Sequence, residues 1–416
     1  MKRTLLIGLF CFALASSGFA WVPERRTDGG TKEFGWFFAP TPIKLEGIGQ
    51  GVPVFGLLSN FYETTDLIFV KTLPGGDFDL NVYLLDQLPA FTDHILLTAG
   101  SFDQLATYSL YGRGVDSSKD DFIRPLARSK GNFYQVKLLG WEERLQGFYQ
   151  VFRGTQEVRK TYDAKGNLLS EQTSKNDFDG KTYGAILDLT DEVVDPRIGV
   201  RMGRKYIPSK SNIALKSDIT VVDTDFNVYI PFFHKDTLVM SGFLSTSQID
   251  RSGVTDEATA RVIYNQNCDP TSPFYSACKA SEDKLVNEFL SYNRYGNATP
   301  LGGSNRLRSY PQGRFSAGST SYQGIEYRFN LADDPKEVNW FFLGGIQTLF
   351  QVAFFAEQGT VSETRSGLGS NLKSSYGAGL RALISGFVYR LDVATGNEGV
   401  GVTLFIDYPM QLNPIN

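Results

Sequence analysis

The chain has 416 residues, of which 42% are hydrophobic, 21% charged and 13% aromatic, and its formal charge is −4. Apolar content is too high for a disordered chain, and no basic excess exists to grip phosphate backbones, so nucleic acid is excluded as an expected partner. Two histidines, His94 and His234, and three cysteines leave too few nitrogen and sulfur ligands for a Cys/His zinc site, and no cofactor is expected.

The N-terminus has the three-part pattern of a secretory signal peptide. Lys2 and Arg3 form the charged region, Leu5 to Ala15 the apolar run, and Gly18 and Ala20 the small residues before a cleavage point. The run is shorter than the roughly 20 residues of a spanning helix. Residues 1–20 are therefore expected to be removed, leaving 21–416, with two of the 41 basic residues lost, none of the 45 acidic ones, and a formal charge of −6. An exported chain without a helical anchor is either soluble or crosses an outer membrane as a closed barrel.

Period-two alternation then recurs along the chain. The first candidate strand carries Gly47, Gly49, Gly51 and Pro53. In Asp77 to Leu84, Phe78, Leu80, Val82 and Leu84 alternate with Asp77, Asp79, Asn81 and Tyr83. In Val221 to Ile230, Val222, Phe226, Val228 and Ile230 alternate with Asp223, Asp225, Asn227 and Tyr229. From Tyr322 to Leu331, Ile325, Tyr327, Phe329 and Leu331 oppose Gly324, Glu326, Arg328 and Asn330. The last strands follow from Ser375 as a meander with short turns at Ser385-Gly386 and Gly396 to Gly399, ending in a strand with Gly399 and Gly401. Each is a strand with one wet and one dry face.

Polar stretches at 112–131, 153–179 and 248–305 read as long loops. The third contains Cys268 and Cys278, for which an exported chain makes a local disulfide the expectation. Asp188, Asp191 and Asp195 read as turn formers rather than calcium ligands. A soluble sandwich would have to bury Glu326 with Arg328, or Arg390 with Asp392, whereas a wet lumen accepts them. At about 25 residues per strand and connection, the length suits roughly 16 strands. The expected fold is all-β: one transmembrane antiparallel β-barrel over residues 21–416.

From Leu301 the sequence becomes distinctive. Leu301-Gly302-Gly303-Ser304-Asn305-Arg306-Leu307-Arg308-Ser309-Tyr310, with Gly313-Arg314-Phe315 and Ile325-Glu326-Tyr327-Arg328-Phe329, resembles the surface-antigen barrel of the BamA/TamA superfamily of outer-membrane assembly and translocation factors. Phe354 to Val361, Tyr376 to Arg381, Tyr389 to Ala394 and Asp188 to Gly199 are similar to its other motifs. The resemblance implies a long loop folded into the lumen, with the Gly302, Gly303, Arg308 and Tyr310 motif seated by Arg308 on Glu326 and Glu357. The motif departs from the family at Ser309, where glycine is usual, and at Glu357, where aspartate is. The family carries periplasmic receiving domains, and Trp21 to Lys44 is too short for one. The implied partners are outer-membrane lipid, unfolded client proteins and a separate periplasmic protein. The implied role is inserting or translocating protein or lipid.

Enzyme motifs are not found: no G-x-S-x-G elbow occurs, and Lys175 stands where a phosphate loop ending Gly180-Lys181-Thr182 needs glycine. A passive or solute-selective channel is the alternative reading, and a lipid-modifying barrel enzyme the second. Gly47, Gly49, Gly51, Gly399 and Gly401 mark a weak seam if first and last strands pair, since glycine loosens a ladder, or else kinks that help the sheet curve.

Overall fold

The computed structural model describes residues 22–25, 34–45, 48–62, 64–171, 173–211, 213–233, 235–271, 275–332, 336–384 and 387–406. The expected signal peptide, Gly47 and His234 lie outside the described residues. Among the described residues, twenty-one strands make up one sheet. In chain order they are β1 (Gly35–Pro40), β2 (Ile43–Leu45), β3 (Gly49–Gly51), β4 (Pro53–Tyr62), β5 (Thr65–Thr72), β6 (Phe78–Ala90) and β7 (Thr92–Thr107). Then follow β8 (Leu110–Tyr111), β9 (Phe122–Gly140), β10 (Leu145–Asp163), β11 (Leu168–Ser170), β12 (Ser174–Thr190), β13 (Gly199–Ser209) and β14 (Asp218–Phe232). The last are β15 (Asp236–Arg251), β16 (Ser319–Asn330), β17 (Lys336–Trp340), β18 (Leu343–Ser362), β19 (Lys373–Ile384), β20 (Phe387–Gly396) and β21 (Gly399–Ile406).

The sheet closes, but as an antiparallel ring of 13 strands rather than the expected 16. β1 pairs with β4 on one side and with the start of β18 on the other, Trp36 opposite Gly344 and Phe37 opposite Leu343. β19, β20 and β21 thus fall outside the ring, and they account for the difference. They continue the meander from β18 and meet the first hairpin through Lys44 opposite Leu404. They form a wedge: β1 closes on β18 below them, and β2 reaches β21 above. Their lower ends belong to an apolar cluster, in which Phe37, Phe55, Leu57 and Ile346 pack with Ile384, Phe387 and Ile406. The Phe55 and Phe387 rings lie 5.7 Å apart, edge to face.

This cluster corrects the reading of 77–84. Leu84 packs on the cluster while Tyr83 is exposed, so the dry face of that strand turns inward. Elsewhere the wet face lines the lumen. On β14, Asp223, Asp225 and Asn227 are buried and Phe226 is exposed. On β16, Glu326, Arg328 and Asn330 are buried and Ile325 and Phe329 are exposed.

The three polar stretches also differ from simple loops. Residues 153–179 are mostly strand: β10 and β12 stay in register from Leu145–Leu187 to Val158–Ser174, so the hairpin continues well past the end of β13 pairing at Tyr183. Residues 122–131 are the start of β9. The 248–305 stretch holds two helices, Glu257–Ile263 and Tyr275–Tyr295. Asp256 caps the first by accepting from the Thr259 N–H. The second buries Val286, Phe289 and Leu290, a helical i, i+3, i+4 stripe, on Ala260 of the first.

Candidate functional site

The connections after β7, β15 and β18 leave one end of the barrel, and the one after β15 turns back into the lumen. After the second helix, residues 297–317 form a compact loop. Its neck is closed by reciprocal hydrogen bonds between Leu301 and Phe315, N–H to carbonyl at 2.9 and 3.0 Å. The Gly303 N–H donates to Tyr310 O at 2.9 Å and the Tyr310 N–H to Leu307 O at 3.0 Å. Gly302 has φ 100°, and a Cβ there would lie 2.2 Å from Pro311 O, so the turn requires glycine. Leu301, Leu307, Tyr310 and Phe315 bury their side chains with Phe243, Tyr322 and Val361 of the wall.

The loop tip places Arg308 among three wall strands. Its Nε donates to Glu357 Oε1 at 2.9 Å and its backbone N–H to Glu357 Oε2 at 2.8 Å. Nη2 donates to Glu326 Oε2 at 3.1 Å and Nη1 to Asp392 Oδ2 at 3.1 Å. The guanidinium lies over the Phe355 ring, 3.3 Å from its centroid. The Tyr322 hydroxyl donates to Glu357 at 3.0 Å. Every N–H bearing nitrogen of Arg308 therefore has an acceptor, which a guanidinium removed from water needs.

The wall supplies cations as well. Arg381 forks onto Glu326 at 2.7 and 2.5 Å, and Arg328 Nε donates to Glu326 at 2.9 Å. Arg390 pairs with Asp392 and donates to Ser304 O of the loop at 2.6 Å. Nearer the mouth, Arg314 forks onto Glu398, both bonds at 2.8 Å, and donates to Ser117 of the 107–122 connection. All of Arg308, Arg314, Arg328, Arg381 and Arg390 are buried.

Arg308, Glu326 and Glu357, singled out in the sequence, thus meet in one place, with Gly302, Gly303 and Tyr310 shaping the loop. Asp392, Arg381 and Arg390 were not assigned to the site from sequence. Their signal was present, because alternation already put Arg390 and Asp392 on the wet face. Cys268, in the connection between the helices, is joined in a disulfide to Cys278 of the second helix. Asp188 pairs with Arg201 at 2.6 Å, Asp191 accepts from the Arg197 and Ile198 N–H groups, and Asp195 accepts from Gln351 at 2.7 Å across the lumen.

The seam residues are placed differently from the expectation. Gly49 and Gly51 lie on β3, which pairs with β2, so they are one strand away from β21. Gly401 is on β21, but a Cβ there would lie 2.8 Å from Arg308 O and 3.1 Å from Ser309 Cα. It is glycine where the lumen loop presses on the wall. Gly399, at φ 129°, forms the β20–β21 turn.

No family model and no curated protein matches the chain. Among solved structures it is similar to CdiB from Escherichia coli, with a TM-score of 0.50 and 8% identity over 90% of this chain. The match spans 62% of the length of CdiB. It is also similar to BamA from Haemophilus ducreyi lacking POTRA domains 1–3, with a TM-score of 0.48 and 11% identity, covering 96% of this chain and 77% of that one. At such identities the likeness to CdiB shows a shared barrel fold.

Proposed function

We propose that this chain is an outer-membrane β-barrel that inserts or translocates protein or lipid, as the surface-antigen barrels resembled by its sequence do. The observation that carries the reading is the lumen loop seated by Arg308 on Glu326, Glu357 and Asp392. A passive channel needs a wet path, and at this level the lumen is occupied by buried side chains. A filled lumen suits a barrel that works at its wall rather than through an open bore. The wedge of β19–β21, joined to the first hairpin through Lys44 and Leu404, is where such a wall has the least ladder.

The outer-membrane assignment draws on the surface. A closed sheet satisfies its own backbone in lipid. Among the described residues, no helix is long and apolar enough to cross a membrane. The short-turn end is ringed by exposed aromatics, Phe61, Phe91, Trp141, Phe233 and Phe341, the residue type that settles at a lipid–water boundary. No covalent chemistry is part of this reading.

The test is reconstitution into lipid vesicles with a urea-denatured barrel protein as client. The expected result is faster membrane insertion of the client than with empty vesicles. Stable single-channel conductance without any such acceleration would favour the channel reading, and release of fatty acid from the vesicles would favour the enzyme.

A further inference from the structure

The short-turn end of the lumen holds a second arrangement that the loop site does not use. Residues 22–25 lie against the start of β10 and the end of β12. Arg144 Nη2 donates to Pro23 O at 2.6 Å, and its Nη1 donates to Thr190 O at 3.1 Å. Arg25 Nη1 donates to the same Thr190 carbonyl at 3.2 Å and to Thr190 Oγ1 at 3.4 Å, and lies 3.7 Å from Asp188 Oδ2. Arg144, Asp188 and Thr190 are buried.

Those three residues are complete without Arg25. Arg201 already pairs with Asp188 at 2.6 Å, and the Thr190 hydroxyl and N–H donate to the other carboxylate oxygen at 2.5 and 3.1 Å. Withdrawing Arg25 therefore leaves no buried anion unpaired, the event that makes breaking an ion pair costly. Arg25 is instead a surplus cation. It shares one acceptor with Arg144, and burial, with Arg25 beside it, pushes the Arg144 guanidinium down. Its second terminal nitrogen, Nη2, is buried without a hydrogen-bond partner among the described residues. Among the described residues the segment is thus held by few bonds, and its departure takes an acceptor only from Arg144 Nη2.

We propose that Arg144, Asp188 and Thr190 form a clamp for an extended polypeptide, and that residues 22–25 are its resident occupant. The clamp reads a backbone carbonyl with Arg144 and an arginine two residues later with Thr190 and Asp188. Its selectivity is for an arginine-bearing extended chain, because a cationic nitrogen at that position reaches the Thr190 carbonyl and hydroxyl and lies beside the Asp188 carboxylate. The physiological occupant, a client segment displacing residues 22–25, rests on the functional reading above.

A fluorescent peptide of residues 21–26, Trp-Val-Pro-Glu-Arg-Arg, tests the clamp on the full-length protein in detergent, with heat-modifiable electrophoretic mobility as the control for folding. Arg25→Ala empties the site, so it should bind the peptide about tenfold or more tightly than the unaltered protein, in which the resident segment competes. The Arg25→Ala, Arg144→Ala protein should lose that affinity. A peptide with alanine in the fifth position should lose it on the Arg25→Ala protein, which decides the matter even if the double variant does not fold. Equal affinity of the unaltered and Arg25→Ala proteins, retained affinity for the alanine peptide, or no binding at about 1 mM peptide would each overturn the clamp. Peptide binding together with no acceleration of client insertion would overturn the functional reading alone.

Discussion

Replacing Arg308 with alanine should release the lumen loop while leaving the barrel closed. Of the three carboxylates that Arg308 meets, Glu326 keeps Arg381 and Arg328, and Asp392 keeps Arg390. Glu357 has only Arg308 within ion-pair distance among the described residues, and it would retain the Tyr322 hydroxyl and a backbone N–H. The loss is therefore concentrated on one buried carboxylate. Removing one partner of a buried pair costs about 3–5 kcal/mol. At 1.4 kcal/mol per decade, the loop-opening constant should rise by about two to three and a half decades. Hydrogen exchange of the Gly303, Tyr310 and Phe315 amides, all bonded within the loop, reports that opening, and the β9–β10 amides serve as the internal control. Glu357→Gln in the Arg308→Ala background should cost less than in the unaltered protein, with a coupling of about 2 kcal/mol. Strictly additive costs would refute the assignment of Glu357 as the residue that depends on Arg308.

Gly401→Ala places a Cβ 2.8 Å from Arg308 O, so it should cost about 1–3 kcal/mol and speed exchange of the same loop amides without changing those of the β20–β21 ladder. Phe91 holds φ 67° in the β6–β7 turn and is fully exposed, so Phe91→Gly should relieve about 1 kcal/mol of backbone strain, raise the urea midpoint in detergent and weaken anchoring in vesicles. Reducing the Cys268–Cys278 disulfide, which spans 10 residues of sequence, should destabilise the helical hairpin by about 2–3 kcal/mol. Local exchange in that hairpin should show the loss, and thermal unfolding of the barrel should not. Lys279, with the Gln266 N–H, holds the Glu282 carboxyl below the ordinary carboxylate range. Its contribution is present above the ordinary carboxylate pKa and is lost as pH falls through the lowered value, so hairpin exchange should accelerate on acidification.

The strands were legible because alternation is a local property, and β14, β16 and β20 present the faces their sequences announce. Ring closure was not legible, since it depends on Trp36 meeting Gly344 across some three hundred residues, and no periodicity encodes that register. The second helix was missed because its apolar stripe is only Val286, Phe289 and Leu290 in a polar segment, too narrow to stand out from a solvated loop. The site shows the same division. Alternation placed Arg390 and Asp392 on the wet face, but it could not say which wet residues would be neighbours. Around the loop tip, Arg308, Arg328, Arg381 and Arg390 face Glu326, Glu357 and Asp392, so cations exceed anions by one. The imbalance is met by the loop backbone: Arg390 donates to Ser304 O while Arg308 reaches the wall carboxylates. Loop and wall each supply what the other lacks. A motif read along one segment shows half of that exchange: alternation put Glu326 on the wet face, and its pairing and that of Glu357 with Arg308 came only from the family resemblance.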